Sequence, residues 1–191
     1  DMLDPQIMPK TWAFSEKAVR FRHHYSGGNG TRMGMFTAFY GLYGNYWFKC
    51  LDERRGPVLI DLLIEDNYQM DVFSSARFSY PEFDKTVFSQ LPKNDLHDSK
   101  DLEPGLAGWQ YDRQNVGLML DFIEKRDRTR PFMTFMFFES PHSLYYFPPE
   151  NAIRTPYLNE FNYATVDLKR DIHLIKNRYI NSCNHLDSQF D

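Results

Sequence analysis

Cysteine is scarce in this 191-residue chain, with only Cys50 and Cys183, far apart in sequence. No metal-type cysteine spacing can be built from them, and the count fits one long-range disulfide as well as two isolated thiols. No run of about 18 apolar residues occurs, so the chain does not itself span a membrane as a helix. Nor does any segment have the charged start, apolar middle and small-residue end of a signal peptide. Basic excess is missing too: 22 Lys and Arg against 26 Asp and Glu leave a net charge of −4. Without a long basic stripe to neutralise phosphates, nucleic acid is excluded as a partner. The short cluster from Lys125 to Arg130 is interrupted by Asp127 and reads as a solvated helix end. The chain opens on Asp1 rather than methionine and stops at Asp191 inside a helical pattern. It is expected to be an internal piece of a longer protein.

Apolar material is plentiful: 42% of the residues are hydrophobic, with 17 Phe, 12 Tyr and 3 Trp. A chain of this length fits one domain that buries roughly 70% of its unfolded surface. Trp12 to Phe21 falls near helical spacing, with Thr11 placed to cap it. Phe21 to Tyr25 reads as a short strand, and Met33 to Leu42 as an apolar helix closed by Gly41 and Gly44. Pro57 introduces a second helix over Val58 to Ile64. Met70 to Ala76 is a strand, and the polar stretch from Pro92 to Gly108 a surface excursion. Asp112 to Lys125 is helical, Phe132 to Phe138 a strand buried on both faces, and Tyr157 to beyond His185 a long helix. Helices alternating with buried strands predict an α/β fold with a largely parallel sheet.

In such sheets, sites gather where strand ends meet helix starts. Two loops satisfy that rule, Ser26–Thr31 and Glu139–His142, and they are expected to line one crevice. The first, Ser26-Gly27-Gly28-Asn29-Gly30-Thr31-Arg32, brings one hydroxyl to a helix start, where unpaired N–H groups and the helix dipole favour anions. Thr31 is either a helix cap or a nucleophile. It lacks the surroundings of a nucleotide loop, having neither Gly-x-Gly-x-x-Gly nor a Gly-Lys-Ser/Thr ending. Arg32 offers a planar fork for phosphate or sulfate oxygens, and the glycines let an anion approach the backbone. His142 stands after the most apolar strand, either as a polar loop anchor or as a substrate contact. Of His23 and His24, strand alternation sends one toward the site. His97, beside Asp95 and Asp98, reads as generic loop polarity. His173 and His185 read as surface or packing residues.

Trp12-Ala13-Phe14, the Ser26–Gly34 stretch, Phe39-Tyr40-Gly41-Leu42, Phe73-Ser74-Ser75-Ala76, Phe83-Asp84-Lys85-Thr86-Val87-Phe88 and Ser140-Pro141-His142 together resemble the sulfatase/alkaline phosphatase superfamily. The resemblance covers nearly the whole chain. Within the superfamily it is nearest the periplasmic sulfatase-like domain of a group of Gram-negative inner-membrane proteins.

That resemblance implies an α/β/α sandwich and metal-dependent hydrolysis or transfer of phosphate or sulfate esters. By position, Thr31 is implied as nucleophile and metal ligand, with Asn29, Arg32 and His142 as substrate contacts. The formylglycine signature Cys/Ser-x-Pro-x-Arg is absent, which points to the branch with a threonine nucleophile. The resemblance places the family's other metal ligands outside residues 1–191, in a first strand and a C-terminal region this chain is expected to lack. A divalent metal (Mn, Mg, Zn or Ca) is therefore implied for the longer protein and none for this stretch, which is expected to turn over no ester. Sheet edges and helix faces left uncovered imply self-association. The alternative function is a non-catalytic module that binds lipopolysaccharide, cardiolipin or a protein partner in outer-membrane lipid homeostasis. Either way the implied partners are phospholipid or lipopolysaccharide head groups, beside an inner membrane reached through other segments.

Overall fold

A computed structural model describes residues 3–190. The chain divides into two compact units, one of Asp1–Arg20, Glu103–Val116 and Phe138–Asp191, the other of Phe21–Leu102 and Gly117–Phe137. The fold is α/β, as the alternation of elements predicts. Helices α1 (Pro9–Ser15), α2 (Thr31–Tyr40), α3 (Trp47–Asp52) and α4 (Val58–Glu65) precede strand β1 (Gln69–Ser74). The short β2 (Leu96–His97), α5 (Gly108–Lys125), β3 (Phe132–Phe137) and α6 (Leu168–Ser188) follow.

The Phe21–Leu102 unit contains the sheet. Its order is β2-β1-β3, and β1 runs parallel to both neighbours, with Asp71 opposite Thr134 and Val72 opposite Leu96. Parallel neighbours need long crossovers, and the helical and looped segments between these strands provide them. β1 is central and its apolar residues Met70, Val72 and Phe73 are buried. β3, expected to be buried on both faces, is instead half-buried along its whole length. It pairs on one side only among the described residues.

Aromatic side chains dominate this core. Phe88 makes edge contacts with Phe39 and Phe78 at 5.5 and 6.0 Å and tilts against Phe135 at 5.3 Å. Such pairs add about 0.5–1.5 kcal/mol beyond the area they bury. α2 lays Met33, Phe36 and Phe39 against this cluster. Gly41 ends α2 in the left-handed conformation at φ 65°, its N–H closing on the Thr37 carbonyl at 3.0 Å. Pro57 caps α4, whose Ile60 and Leu63 join the core while Val58, Leu59 and Leu62 stay exposed.

In the other unit, α1 begins at Pro9, so Thr11 lies inside the helix and does not cap it. The cap comes from far along the chain: buried Asp187 on α6 accepts the N–H groups of Lys10 and Thr11 at 3.0 and 2.7 Å. A carboxylate at a helix start satisfies orphan donors and meets the positive end of the dipole. α1 also stops early, at Ser15, whose hydroxyl donates back to the Trp12 carbonyl at 2.7 Å. The strand expected over Phe21 to Tyr25 does not form. This segment joins no ladder, and Phe21 and Tyr25 are exposed.

α6 starts at Leu168 rather than near Tyr157. Asn162 holds the intervening chain in a turn, its side chain accepting the Ala164 N–H at 2.9 Å and its carbonyl the Val166 N–H at 3.0 Å. Local bonds of that kind compete with helix formation. Asp167 then caps α6 by accepting the Lys169 N–H at 2.9 Å. Cys50 and Cys183 are both free thiols.

Candidate functional site

Gly30 occupies the position just before α2, with extended backbone (φ −139°, ψ 155°), and its carbonyl accepts the Gly34 N–H at 3.0 Å. Thr31 is therefore the first residue inside the helix. No side-chain cap bond closes this helix start, so of the two roles open to Thr31, helix cap falls away. Its residue is exposed. It lines an open cleft of about 790 Å³ with His24, Asn29 and Phe137.

The loop ahead of Thr31 is shaped by packing on α2. The Ser26 hydroxyl donates to the Gly28 carbonyl at 2.5 Å, folding the loop on itself. A Cβ at Gly27 would meet the Thr37 side chain at 1.8 Å, and one at Gly28 would meet Met33 at 2.4 Å. A Cβ at Gly30 meets nothing within 4 Å. Two of the three glycines thus allow the loop to lie on the helix, and only Gly30 leaves open space beside the threonine.

Arg32 does not line the cleft. Its guanidinium forks onto Glu82, with Nε at 3.0 Å from Oε2 and Nη2 at 2.8 Å from Oε1, and lies over the rings of Trp47 and Tyr80. The fork expected to meet ester oxygens is engaged here by Glu82. Glu82 sits in the left-handed region at φ 56°, presenting its carboxylate to α2. No sequence signal pairs Arg32 with a residue fifty positions away.

Asn29 and Thr31 share the cleft, and His24 joins them while His23 does not. Because no strand forms at Phe21 to Tyr25, the alternation once assigned to the two histidines does not exist. The polar side chains lining the cleft are the hydroxyls of Tyr25, Ser26, Thr31 and Thr37, the Asn29 amide and the His24 imidazole, with no carboxylate among the described lining residues. Among the described residues no group of three or more His, Cys, Asp or Glu is placed to hold a metal. Divalent cations such as Mg or Ca take six or more oxygen donors, usually including carboxylates. The donors present do not by themselves fit such a cation.

His142 belongs to the other unit. It follows β3 in a tight turn, its N–H on the Glu139 carbonyl at 2.9 Å, and its imidazole is 58% exposed with Nδ1 at 3.9 Å from Glu139 Oε1. Burial pushes the Glu139 carboxyl above its ordinary range; His142 opposes the rise and Asp112 adds to it. The turn is anchored by Asp112 of α5, fully buried, which accepts the N–H groups of Glu139 and Ser140 at 2.8 and 2.9 Å and also the Ser140 hydroxyl. Asp112 was legible only as a helix start. Its organising role had no signal beyond a charge inside an apolar pattern.

His97 proves to be more than loop polarity. It pairs with Asp71 of β1 at 3.1 Å and stacks on Phe73 at 4.8 Å. The hydrogen bond to Asp71 raises its pKa, and burial opposes the rise. His173 is exposed and His185 fully buried, edge-on to Trp109 at 6.2 Å.

Compared with known proteins, the family model "Sulfatase" matches residues 3–190. The chain belongs to the sulfatase family, and its parallel-sheet α/β fold agrees with that membership. An uncharacterized protein of Haemophilus influenzae is 29% identical over 136 residues, covering 71% of this chain and 22% of that protein. "Inner membrane protein YejM" of Salmonella typhimurium is 35% identical over 116 residues, covering 61% of this chain and 18% of the relative. The protein of the same name in Salmonella typhi matches equally. The matched stretch spans about a fifth of the length of these relatives. Among the described residues, no helix is long and apolar enough to cross a membrane.

Proposed function

We propose that this chain is part of the sulfatase-like domain of a membrane-anchored envelope protein, and that Thr31 marks its ester-handling centre. The observation that carries this is the exposed Thr31 hydroxyl at the first turn of α2, relieved of capping duty and facing an open cleft. At that position a phosphate or sulfate ester meets free backbone N–H groups and the positive helix end, which stabilise charge on its oxygens. The Thr31 Oγ1 would attack phosphorus or sulfur, forming the new O–P or O–S bond as the alcohol leaves with a proton. Asn29 shares the cleft and is assigned to the ester oxygens. The substrate contact that the family resemblance implies for His142 rests on its exposed turn alone. Arg32 acts by holding the start of α2 against Glu82, not by touching the ester. Among the described residues the donors do not provide for the family's divalent metal.

A second function has its own support: the commitment of Arg32 to Glu82 favours a domain that keeps the fold but binds rather than turns over its partner. The chemistry that partner would carry is that of phospholipid or lipopolysaccharide head groups at the periplasmic face of an inner membrane. The two functions separate on Thr31→Ala and Thr31→Ser in the longer protein. Phosphate- and sulfate-ester hydrolysis is measured beside envelope integrity. The catalytic function predicts that alanine lowers turnover at least 100-fold while serine retains part of it. Full envelope function with Thr31→Ala overturns nucleophilic catalysis and leaves the binding module.

A further inference from the structure

The motif Phe83-Asp84-Lys85-Thr86-Val87-Phe88 takes no part in the Thr31 cleft. Its Asp84 and Lys85 line a separate, more enclosed cavity of about 460 Å³ within the Phe21–Leu102 unit. Four exposed cationic residues line this cavity: Arg54, Lys85, Lys93 and Lys100. Lys100 stands 3.6 Å from Asp98, a buried carboxylate already engaged by the N–H groups of Phe78 and Lys100 at 3.0 Å each. Arg54, Lys85 and Lys93 make no ion pair among the described residues. The floor is apolar, with buried Phe78 and Leu96.

Like charges gathered over a low-dielectric floor repel one another, and an anion between them relieves that repulsion. The arrangement is anchored as well. Arg54 sits in the left-handed region at φ 49°, and its carbonyl accepts the Ser89 hydroxyl at 3.1 Å on the same wall. Asp84 on the same wall keeps its Oδ1 shielded from solvent, so the groups open to a ligand are the cations, and the wall calls for anionic oxygens.

We propose that this cavity is a binding site for a phosphate-bearing ligand, its phosphate held by Arg54, Lys85 and Lys93. That chemistry is shared by a free sugar phosphate and by an inositol-phosphate lipid headgroup. The test uses the chain with glucose 6-phosphate, pyrophosphate and neutral myo-inositol, read by calorimetry at low salt and by amide chemical shifts. In parallel, phosphatidylinositol and phosphatidylcholine vesicles are tested by co-sedimentation.

Glucose 6-phosphate is expected to bind with shifts at the Ser89 and Lys93 amides, and myo-inositol not to bind. Lys85→Gln with Lys93→Gln weakens it at least tenfold, and pyrophosphate competes with it for the same site. Thr31→Ala leaves binding unchanged. Co-sedimentation with phosphatidylinositol but not phosphatidylcholine, lost in the double lysine variant, assigns the headgroup as the source; binding of the soluble ester alone assigns the free compound. If neither probe binds, or if the lysine variant binds as the parent does while circular dichroism shows it folded, the site does not exist.

Discussion

Buried Asp112 holds Ser140 by both its backbone N–H, at 2.9 Å, and its hydroxyl, so the turn that presents His142 is fastened to α5 by a single carboxylate. Replacing Asp112 by alanine leaves the buried Ser140 N–H and hydroxyl and the part-buried Glu139 N–H unpaired. A loss of about 3–5 kcal/mol in urea unfolding is expected, from about 1–3 kcal/mol for each orphaned group with partial relaxation. Asp112→Asn retains acceptor capacity and is expected to lose less. Equal losses for the two variants would show that the carboxylate is not the anchor.

The Arg32–Glu82 fork is half-buried, with side-chain exposures of 29% and 21%. A double-mutant cycle on Arg32→Met and Glu82→Gln is expected to give a coupling of about 1 kcal/mol, above that of an exposed pair because the geometry is bidentate. Each single variant is also expected to raise backbone exchange at the start of α2. Additive singles would reduce the fork to a surface contact.

Two histidines are expected to respond to pH in opposite directions. Hydrogen bonding to Asp71 raises the His97 pKa. Its stabilising contribution is full below about pH 6.5, the ordinary value, and is lost as pH rises through the raised one. His185 is depressed, chiefly by burial and by Arg113, against upward pulls from Asp112, the Trp109 backbone and Glu150. Its contribution is present above about pH 6.5 and is lost as pH falls through the depressed value. Imidazole proton shifts between pH 4.5 and 8.5 check both directions, and Asp71→Asn should return His97 toward its ordinary value. His97 titrating with or below an unstructured histidine would remove the Asp71 pairing.

Gly27→Ala and Gly30→Ala should separate sharply. The first drives a methyl into Thr37 and is expected to cost more than 2 kcal/mol by overpacking. The second meets open space and adopts an extended backbone that alanine accepts, so stability should change by less than about 0.5 kcal/mol. Thermal melts of the two variants decide it.

The sequence exposed those parts of the fold that depend on strong local periodicity. α2, α4, β1 and β3 appear within a few residues of their expected bounds because apolar spacing and Gly or Pro punctuation lie inside each segment. The failures came where a distant partner decides. α1 is capped by Asp187, and Phe21 to Tyr25 has strand composition but no ladder to join. Tyr157 to Asp167 was lost to a local competitor instead, the turn that Asn162 holds ahead of α6. At the site, Thr31 and the Ser-Pro-His turn were visible as motifs. Glu82 and Asp112, which set the geometry around them, were not, because a hydrogen-bond partner tens of residues away leaves no trace in local composition.

The unequal surroundings of the loop glycines also bear on how its variation among descendants should be interpreted. Glycine at positions 27 and 28 would be retained in a lineage that had abandoned all turnover, since helix packing alone forbids a larger residue. Retention there is no witness to enzymatic selection. Position 30 and the threonine beside it are free of that steric veto, so drift at those two positions would be the earliest mark of a domain released from chemistry.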